Sequence, residues 1–571
     1  MFYFLANAIS ELERRSVMKF SAQTRKETIE KLASEKLELL IIGGGITGAG
    51  LALQAGTKEM HAGLIEMQDF AAGTSSRSTK LVHGGLRYLK QFEVELVAEI
   101  TKERKVISHN APHIVQPERM LLPIYDELGA SFNAFSAEVA LDLYDRLAEV
   151  DSEWEHRLIS REEILEENPS LKEEDLVNGG LYLDYINDDA RLTIEILKKA
   201  HELGTLLANY VKALDFIYDE NDHIAGVEAE DTLTGEKFEI YADVVVNATG
   251  PWSDEIQNKQ RGIESDRMYP SEGVHLVVDA EKLPVTRTIY TDTGLNDHRM
   301  IFIIPRGDKT YFGTTDTPYK GDLKDPPITK ESVDYLLKAV NFRFPDANIE
   351  LEDIETGWAG LRPLILEEGA TDSTMISRDH AVSVSEAGLV TIAGGKLTDY
   401  RLMAEDTFLT IEDELKMKTG ATYPEGDTKN VPLSGGKLPK GTSFSEYVDQ
   451  NIEKGLEIGL SEREAYDLIE WYGTNAELVF SLNKQVQAKN LPLRLELELL
   501  YALEYESILS PVDFFLRRTD ILLFATDELE KWEIPVIDYM AEYLNWTEAE
   551  RAAWIKELRT QIEETQLEHI R

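Results

Sequence analysis

An α/β protein, opening on a parallel sheet, continuing through an antiparallel sheet and closing in helices, is predicted by three features of this 571-residue chain. The run from Glu38 to Ile42 (ELLII) is apolar enough for a strand buried on both faces, and a glycine cluster follows it directly. Between Tyr269 and Thr317, strand-like runs (GVHLVV, MIFIIP, TYFGTTD) alternate with turn residues, as an antiparallel sheet requires. From about Ser443 the composition shifts to Leu, Glu, Ala and Lys at helical spacing.

The first strand leads into Gly43, Gly44, Gly45, Ile46, Thr47 and Gly48, which is G-x-G-x-x-G in the position a dinucleotide turn occupies. Gly43 allows the turn, Gly45 lets the backbone approach a pyrophosphate, and Gly48 lets the following helix pack on the strand, so that phosphates meet free N–H groups. A helix follows, then a second strand over Ala62 to Ile65, ending at Glu66 where a ribose-gripping carboxylate is expected. Tyr241 to Gly250 (YADVVVNATG) reads as a later strand returning to the same sheet. A simple nicotinamide domain has no need of such a return, so a two-domain, Rossmann-like fold holding FAD is favoured. The uncharged stretch from Leu39 to Thr57 approaches the length of a membrane helix, but its six glycines fit a strand, turn and helix instead.

With 59 Lys+Arg against 105 Asp+Glu, the formal net charge is −46, which opposes nucleic acid and anionic lipid surfaces. The chain has no Cys, so disulfides, thiolate metal sites and a Cys-linked cofactor are excluded. Cofactor binding is therefore non-covalent on this reading, and no metal-binding pattern is present. The apolar run Phe2 to Ile9 lacks a preceding basic residue and fails as a secretory signal; residues 1–17 read as an upstream extension before Met18.

Past Glu66 the motifs become dense: Gly73-Thr74-Ser75-Ser76, Ser78-Thr79-Lys80, His83-Gly84-Gly85-Leu86-Arg87-Tyr88-Leu89, Asp188-Asp189-Ala190-Arg191-Leu192, Gly273-Val274-His275, Gly313-Thr314-Thr315-Asp316, Gly360-Leu361-Arg362-Pro363-Leu364, Ser377-Arg378-Asp379, Gly394-Gly395-Lys396-Leu397-Thr398 and Asp513 to Thr519 (DFFLRRT). In this order they resemble the FAD-dependent glycerol-3-phosphate dehydrogenase family, kin of the α-glycerophosphate oxidases. The resemblance implies a glutathione-reductase-type FAD-binding fold. It divides the chain into an N-terminal extension (1–37), a discontinuous FAD-binding domain (38–95, 190–260 and 355–425), an antiparallel-sheet substrate domain (96–189 and 261–354) and a helical C-terminal domain (440–571).

The cofactor residues expected are Gly43, Gly45, Ile46, Thr47, Gly48, Glu66, Thr74, Ser75, Ser76, Ser78, His83, Gly84, Leu86, Val211, Gly250, Lys396, Leu397 and Thr398. A helix running from Lys396 to Glu405 is expected to aim its positive end at the flavin. The resemblance implies oxidation of sn-glycerol 3-phosphate to dihydroxyacetone phosphate. Its phosphate falls to Arg87, Tyr88 and Arg378, with Arg362 and Lys396 nearer the reacting carbon, because guanidinium forks match phosphate oxygens. A base working near pH 7 is best supplied by imidazole, and His275 is preferred over His83 and His380.

Oxidase relatives carry a long insertion between the Gly-Leu-Arg-Pro and Ser-Arg-Asp motifs, whereas Arg362 and Arg378 here are 16 positions apart. That favours a membrane quinone over oxygen as acceptor, with a cytoplasmic protein resting on the membrane surface. Arg517 and Arg518 beside Phe514, Phe515 and Leu516 are the candidate contact, against the plainer reading of a buried helix face. A homodimer is compatible with the chain. The rival readings are an oxygen-using glycerophosphate oxidase, a flavin amine or amino-acid oxidase, and a non-catalytic flavin-binding protein.

Overall fold

The structure is a computed structural model that describes residues 19–91, 93–366, 376–377, 379–487 and 491–571. Two sheets and a helical C-terminal region make up the molecule, as the sequence predicts. The first sheet has eight strands. Leu37–Ile42 lies at its centre, parallel to Ala62–Ile65 on one side and to Lys237–Asn247 on the other. Leu206–Ala208 and Leu389–Ala393 extend it in parallel, and the antiparallel pair Val211–Tyr218 and Ile224–Asp231 continues from Lys237–Asn247. Leu39, Leu40 and Ile41 are wholly buried because helices cover one face of this parallel layer, while the helix Arg25–Ser34 and the antiparallel strands Val211–Tyr218 and Ile224–Asp231 cover the other. The uncharged stretch resolves into this strand and the helix Ile46–Thr57, and no described helix is long and apolar enough to cross a membrane.

The second sheet has ten strands and is almost wholly antiparallel, with Ser271–Asp279 between Lys309–Gly313 and Ile354–Arg362. Two segments assigned to the first domain from the sequence lie here instead. Leu81–Val82 pairs with Leu176–Ile186, and Ile354–Arg362 pairs along the length of Ser271–Asp279. The chain returns to the first sheet at Ala381–Val384 and Leu389–Ala393.

The helices from Phe444–Glu457 to Glu548–Thr565 form the third region, and four residues at its heart bear out the plainer reading of a buried helix face rather than a membrane contact. Phe514, Phe515, Arg517 and Arg518 occupy a wide π-type turn over Asp513–Arg518 and are buried. Both arginines reach Asp69 at the end of the first βαβ unit: Arg517 Nε lies 2.7 Å from Oδ2, while Arg518 donates to both oxygens at 2.9 and 3.0 Å. A lipid surface cannot reach groups held this way; desolvated guanidinium groups need carboxylate partners, and the helical region supplies its arginines to the cofactor domain. Glu506 completes the junction by binding Arg191 through both oxygens and Lys198 at 3.1 Å.

Candidate active site

The glycine turn is fixed by packing. A Cβ on Gly48 would stand 1.8 Å from the Gly43 carbonyl oxygen, and one on Gly43, whose φ is +114°, would meet Ala248 O at 2.5 Å. The helix Ile46–Thr57 thus starts against the strand end with Gly45, which has no side chain of its own, in the capping position. Ser75 Oγ accepts the Ile46 N–H at 2.9 Å, and the Glu66 carboxylate accepts N–H groups of Gly44 (2.7 Å) and Gln68 (2.9 Å). Burial raises the Glu66 pKa, opposed by those two backbone bonds.

This turn is one wall of a cleft of about 380 Å³ between the two sheets. Gly43, Gly45, Ile46, Thr47, Glu66, Thr74, Ser75, Ser78, His83, Tyr88, Val211, Gly250, Arg362, Lys396, Leu397 and Thr398 all line it. Residues separated by more than 350 positions therefore meet at one surface. Gly48, Ser76, Gly84 and Leu86 stand outside that lining. Gly48 acts through packing, and Ser76 is buried in the short turn Thr74–Ser76. The Gly84 N–H donates to Tyr144 and Asp184, and a Cβ there would strike Thr101 at 2.3 Å, so its smallness serves helix packing. Leu86 faces an adjoining chamber of about 200 Å³.

That chamber shares Thr79, His83, Tyr88 and Arg362 with the cleft, and adds Arg299, Thr314 and Tyr290. Arg362 is 35% exposed, and its contacts include Thr314 Oγ1 (3.3 Å), Glu272 O (3.4 Å) and Asp316 Oδ1 (3.5 Å). Lys396 Nζ stands 5.3 Å from the centre of the Tyr88 ring. Gly394 and Gly395, both at φ +79°, turn the chain towards it. The helix expected from Lys396 begins at Tyr400 instead, because Asp399 at its entrance accepts the Lys396 N–H at 2.8 Å. Arg378 lies outside the described residues, as does the Arg87 side chain, whose backbone sits in the turn Leu86–Gln91.

His275 is placed behind the cleft wall, 2% exposed, stacked on Trp358 at 4.8 Å. Its Nε2 lies 3.0 Å from the hydroxyl of Thr79, which faces both cavities. Burial, with Arg362 and Lys80 nearby, pulls its pKa down to about 3, so the ring is neutral at pH 7. His83 does line both cavities, but its Nδ1 accepts the Gly85 N–H at 3.1 Å. The neutral ring then carries its proton on Nε2 and is a donor there. His380 pairs with Asp406 at 2.9 Å and lines neither cavity. Thr79 and Arg299 were missed as site residues; Thr79 sat in plain view within Ser78-Thr79-Lys80, while nothing around Arg299 in the sequence marked it.

The glycine turn, the buried acid and the hydroxyl-rich segment make a donor set suited to a dinucleotide pyrophosphate and ribose. Residues 38–401 match the FAD dependent oxidoreductase family, and residues 426–551 match the C-terminal domain of alpha-glycerophosphate oxidase. The chain belongs to this FAD-dependent oxidoreductase family. Within it, the alpha-glycerophosphate oxidase of Streptococcus pyogenes serotype M1 is 46% identical over 604 aligned positions, covering 96% of this chain and 98% of that protein. The enzyme of the same name from Enterococcus casseliflavus is 44% identical, with the same coverage. Among solved structures, the glycerol-3-phosphate dehydrogenase from Bacillus halodurans complexed with FAD superposes with a TM-score of 0.81 at 39% identity, over 96% of this chain and 98% of that one. FAD is the cofactor of this chain, and the cleft is where its residues would hold it: Gly45 and the start of Ile46–Thr57 at the pyrophosphate, Glu66 at the adenosine ribose, and Thr74 to Ser78 with Gly394 to Thr398 towards the ring.

Proposed function

We propose that this chain oxidises sn-glycerol 3-phosphate to dihydroxyacetone phosphate and passes the electrons to a membrane quinone. The observation that carries the reading is the convergence of Arg362, Tyr88 and Arg299 on one small chamber beside the cofactor cleft, with Lys396 on the adjoining cleft wall 5.3 Å from the Tyr88 ring, in a chain of net charge −46. Arg299 and Arg362 set against Asp184 and Asp316 leave the chamber without the acidic excess of the rest of the chain, and Lys396 adds a further cation at its border. Bound in the cleft, FAD supplies the hydride acceptor at its N5.

The residues of the chain supply the rest. Arg362 and Lys396 hold the substrate and stabilise the charge that develops at its C2 oxygen, since both line the cleft beside the chamber where that oxygen would lie. Tyr88 and Arg299 bind the phosphate, joined by Arg87 and Arg378 on the strength of the family motifs. His275 accepts the C2 hydroxyl proton through Thr79, whose Oγ1 takes the proton from the substrate while giving its own to Nε2. A lowered pKa makes His275 a weak base standing alone, and the incoming phosphate dianion raises it.

The quinone as acceptor is supported by the B. halodurans dehydrogenase and by aligned lengths that exceed 571 residues, so that the oxidases carry residues this chain lacks. The second reading, oxygen as acceptor, is favoured by the 46% identity to proteins named oxidases. Two steps separate them. Anaerobic glycerol 3-phosphate should bleach the flavin absorbance, and the reduced protein should recover its colour faster with a short-chain quinone than with air. Failure to bleach removes the substrate assignment, and faster recovery in air removes the quinone.

A further inference from the structure

A second cavity, of about 590 Å³, opens on the far side of the strand Leu176–Ile186 from the flavin-side chamber. Its walls are the helix Val94–Asn110, the sheet edge at Leu183 and Tyr185, Trp154, and the connecting segment from Pro432 to Ser443. That volume falls inside the usual range for small-molecule sites. Its charge is the reverse of the protein's. Arg104, Lys105, Lys437 and Lys440 line it against a single acid, Asp151. Asp151 is taken by Lys105 at 3.1 Å, whereas Lys437 and Lys440 stand exposed at the rim without an ion pair among the described residues.

The floor is stranger. Arg104 is 1% exposed, and its Nη2 has no hydrogen-bond partner among the described residues, although an unpaired buried guanidinium nitrogen is costly. Its Nη1 is fully used, on Leu183 O, the Tyr144 hydroxyl (both 2.9 Å) and Asp184. Asp184 faces the other way: it lines the flavin-side chamber and accepts the Gly84 N–H at 3.0 Å, next to His83. One ion pair therefore divides the two cavities. Trp154 and Tyr185 add flat apolar surface beside the cations, a combination that suits a ring carrying phosphate better than either a bare ion or a neutral ring.

We propose that this cavity is a binding site for a nucleoside phosphate, and that its occupancy is communicated to the flavin-side chamber through Arg104 and Asp184. Phosphates would lie along Lys437 and Lys440, with the ring against Trp154 and Tyr185. Phosphate close to Arg104 weakens the hold of that guanidinium on Asp184, and Asp184 in turn fixes Gly84 beside His83. The binding half stands on the cavity alone; the communication half rests on the reaction proposed above.

The test uses the FAD-loaded protein, so that the adenine end of the cofactor cleft is filled. Mant-ADP is titrated while its fluorescence is excited by energy transfer from tryptophan. Saturable binding is expected, with much of the transfer lost in Trp154→Phe and the Kd raised roughly tenfold in the double variant Lys437→Glu, Lys440→Glu, whose changes fall on exposed side chains. Inorganic phosphate should displace the probe only at concentrations roughly a hundredfold above those of ADP. Absence of saturable binding, an unchanged Kd in the double variant, or equal displacement by inorganic phosphate overturns the site. Dihydroxyacetone phosphate at saturation should change the mant-ADP Kd about threefold or more, and ADP should change the affinity for dihydroxyacetone phosphate by the same factor. An unchanged Kd overturns the communication. If dihydroxyacetone phosphate does not bind while mant-ADP does, the proposed substrate fails and the site stands.

Discussion

Arginine serves two opposite purposes in this molecule. At the junction of the cofactor domain and the helical region, Arg518 is wholly buried and donates to both oxygens of Asp69. Arg517 shares the same carboxylate and adds Asp513 at 2.7 Å. In the flavin-side chamber, Arg362 remains a third exposed and reaches its neighbours at 3.3 to 3.5 Å. The junction pair is buried against carboxylates and locks two regions together. Arg362 lies in a polar recess at the border of the cleft and the chamber, where the substrate proposed above would meet it. What separates the two settings is depth of burial: the Arg518 side chain is wholly enclosed, whereas that of Arg362 is 35% exposed to the recess.

Replacing Asp69 with Ala should produce the largest effect, because two buried guanidinium groups lose their shared partner. A loss of roughly 3–5 kcal/mol is expected in urea unfolding. A loss below about 1 kcal/mol would mean that the junction is not the lock described. Arg362→Ala should do the reverse. It should lower kcat/KM for glycerol 3-phosphate by about 10²–10³, while leaving unfolding stability within about 1 kcal/mol. Equal damage to stability would place Arg362 with the junction arginines.

Acid should distinguish the regions further. Burial beside Lys198 and Arg191 lowers the His113 pKa to about 3, and His275 behaves similarly. Their native pKa lies below the ordinary value, so the unfolded chain binds more protons between about 6.5 and 3. Their contribution is complete above pH 6.5 and falls away as the pH drops. Glu506 follows lower: burial opposes its ionisation, but Arg191 and Lys198 hold it near 2, so its share is lost from about 4.5 downward. The unfolding free energy from urea titrations should therefore hold level from pH 7.5 to about 6.5 and fall from there to pH 4, by up to about 1.4 kcal/mol per pH unit for each group. His113→Gln should flatten the upper part of that curve. The smallest effect is expected at the edge of the same junction, where the half-exposed Lys19 pairs with Glu504. Lys19→Ala should cost less than about 1 kcal/mol, and a larger value would show that exposure does not weaken pairs at this boundary.

Much of the cofactor cleft was legible in the sequence because its demands are local. Gly43, Gly45 and Gly48 must be small within one turn, and Glu66 ends the adjoining strand, so spacing alone exposes them. The chamber was less legible. Arg362 and Lys396 were named through family motifs, but Arg299 carries no local signal and enters only because its loop folds over the second sheet. His275 could be named from its motif, yet its place behind Thr79 depends on the packing of Trp358 and Tyr311 around it.

The sequence by itself determined the fold class, the dinucleotide turn and the family. These rest on periodicity, on glycine spacing and on ordered motifs, all of which are properties of neighbouring residues. Only the tertiary structure decided which charges face inward. The pair Arg517-Arg518 reads identically whether it meets lipid or Asp69, and the two outcomes differ only in where a carboxylate 448 positions away comes to rest. The cationic cavity beneath Lys437 and Lys440 has the same origin, since a linker gains a floor only when a helix and a sheet edge close beneath it.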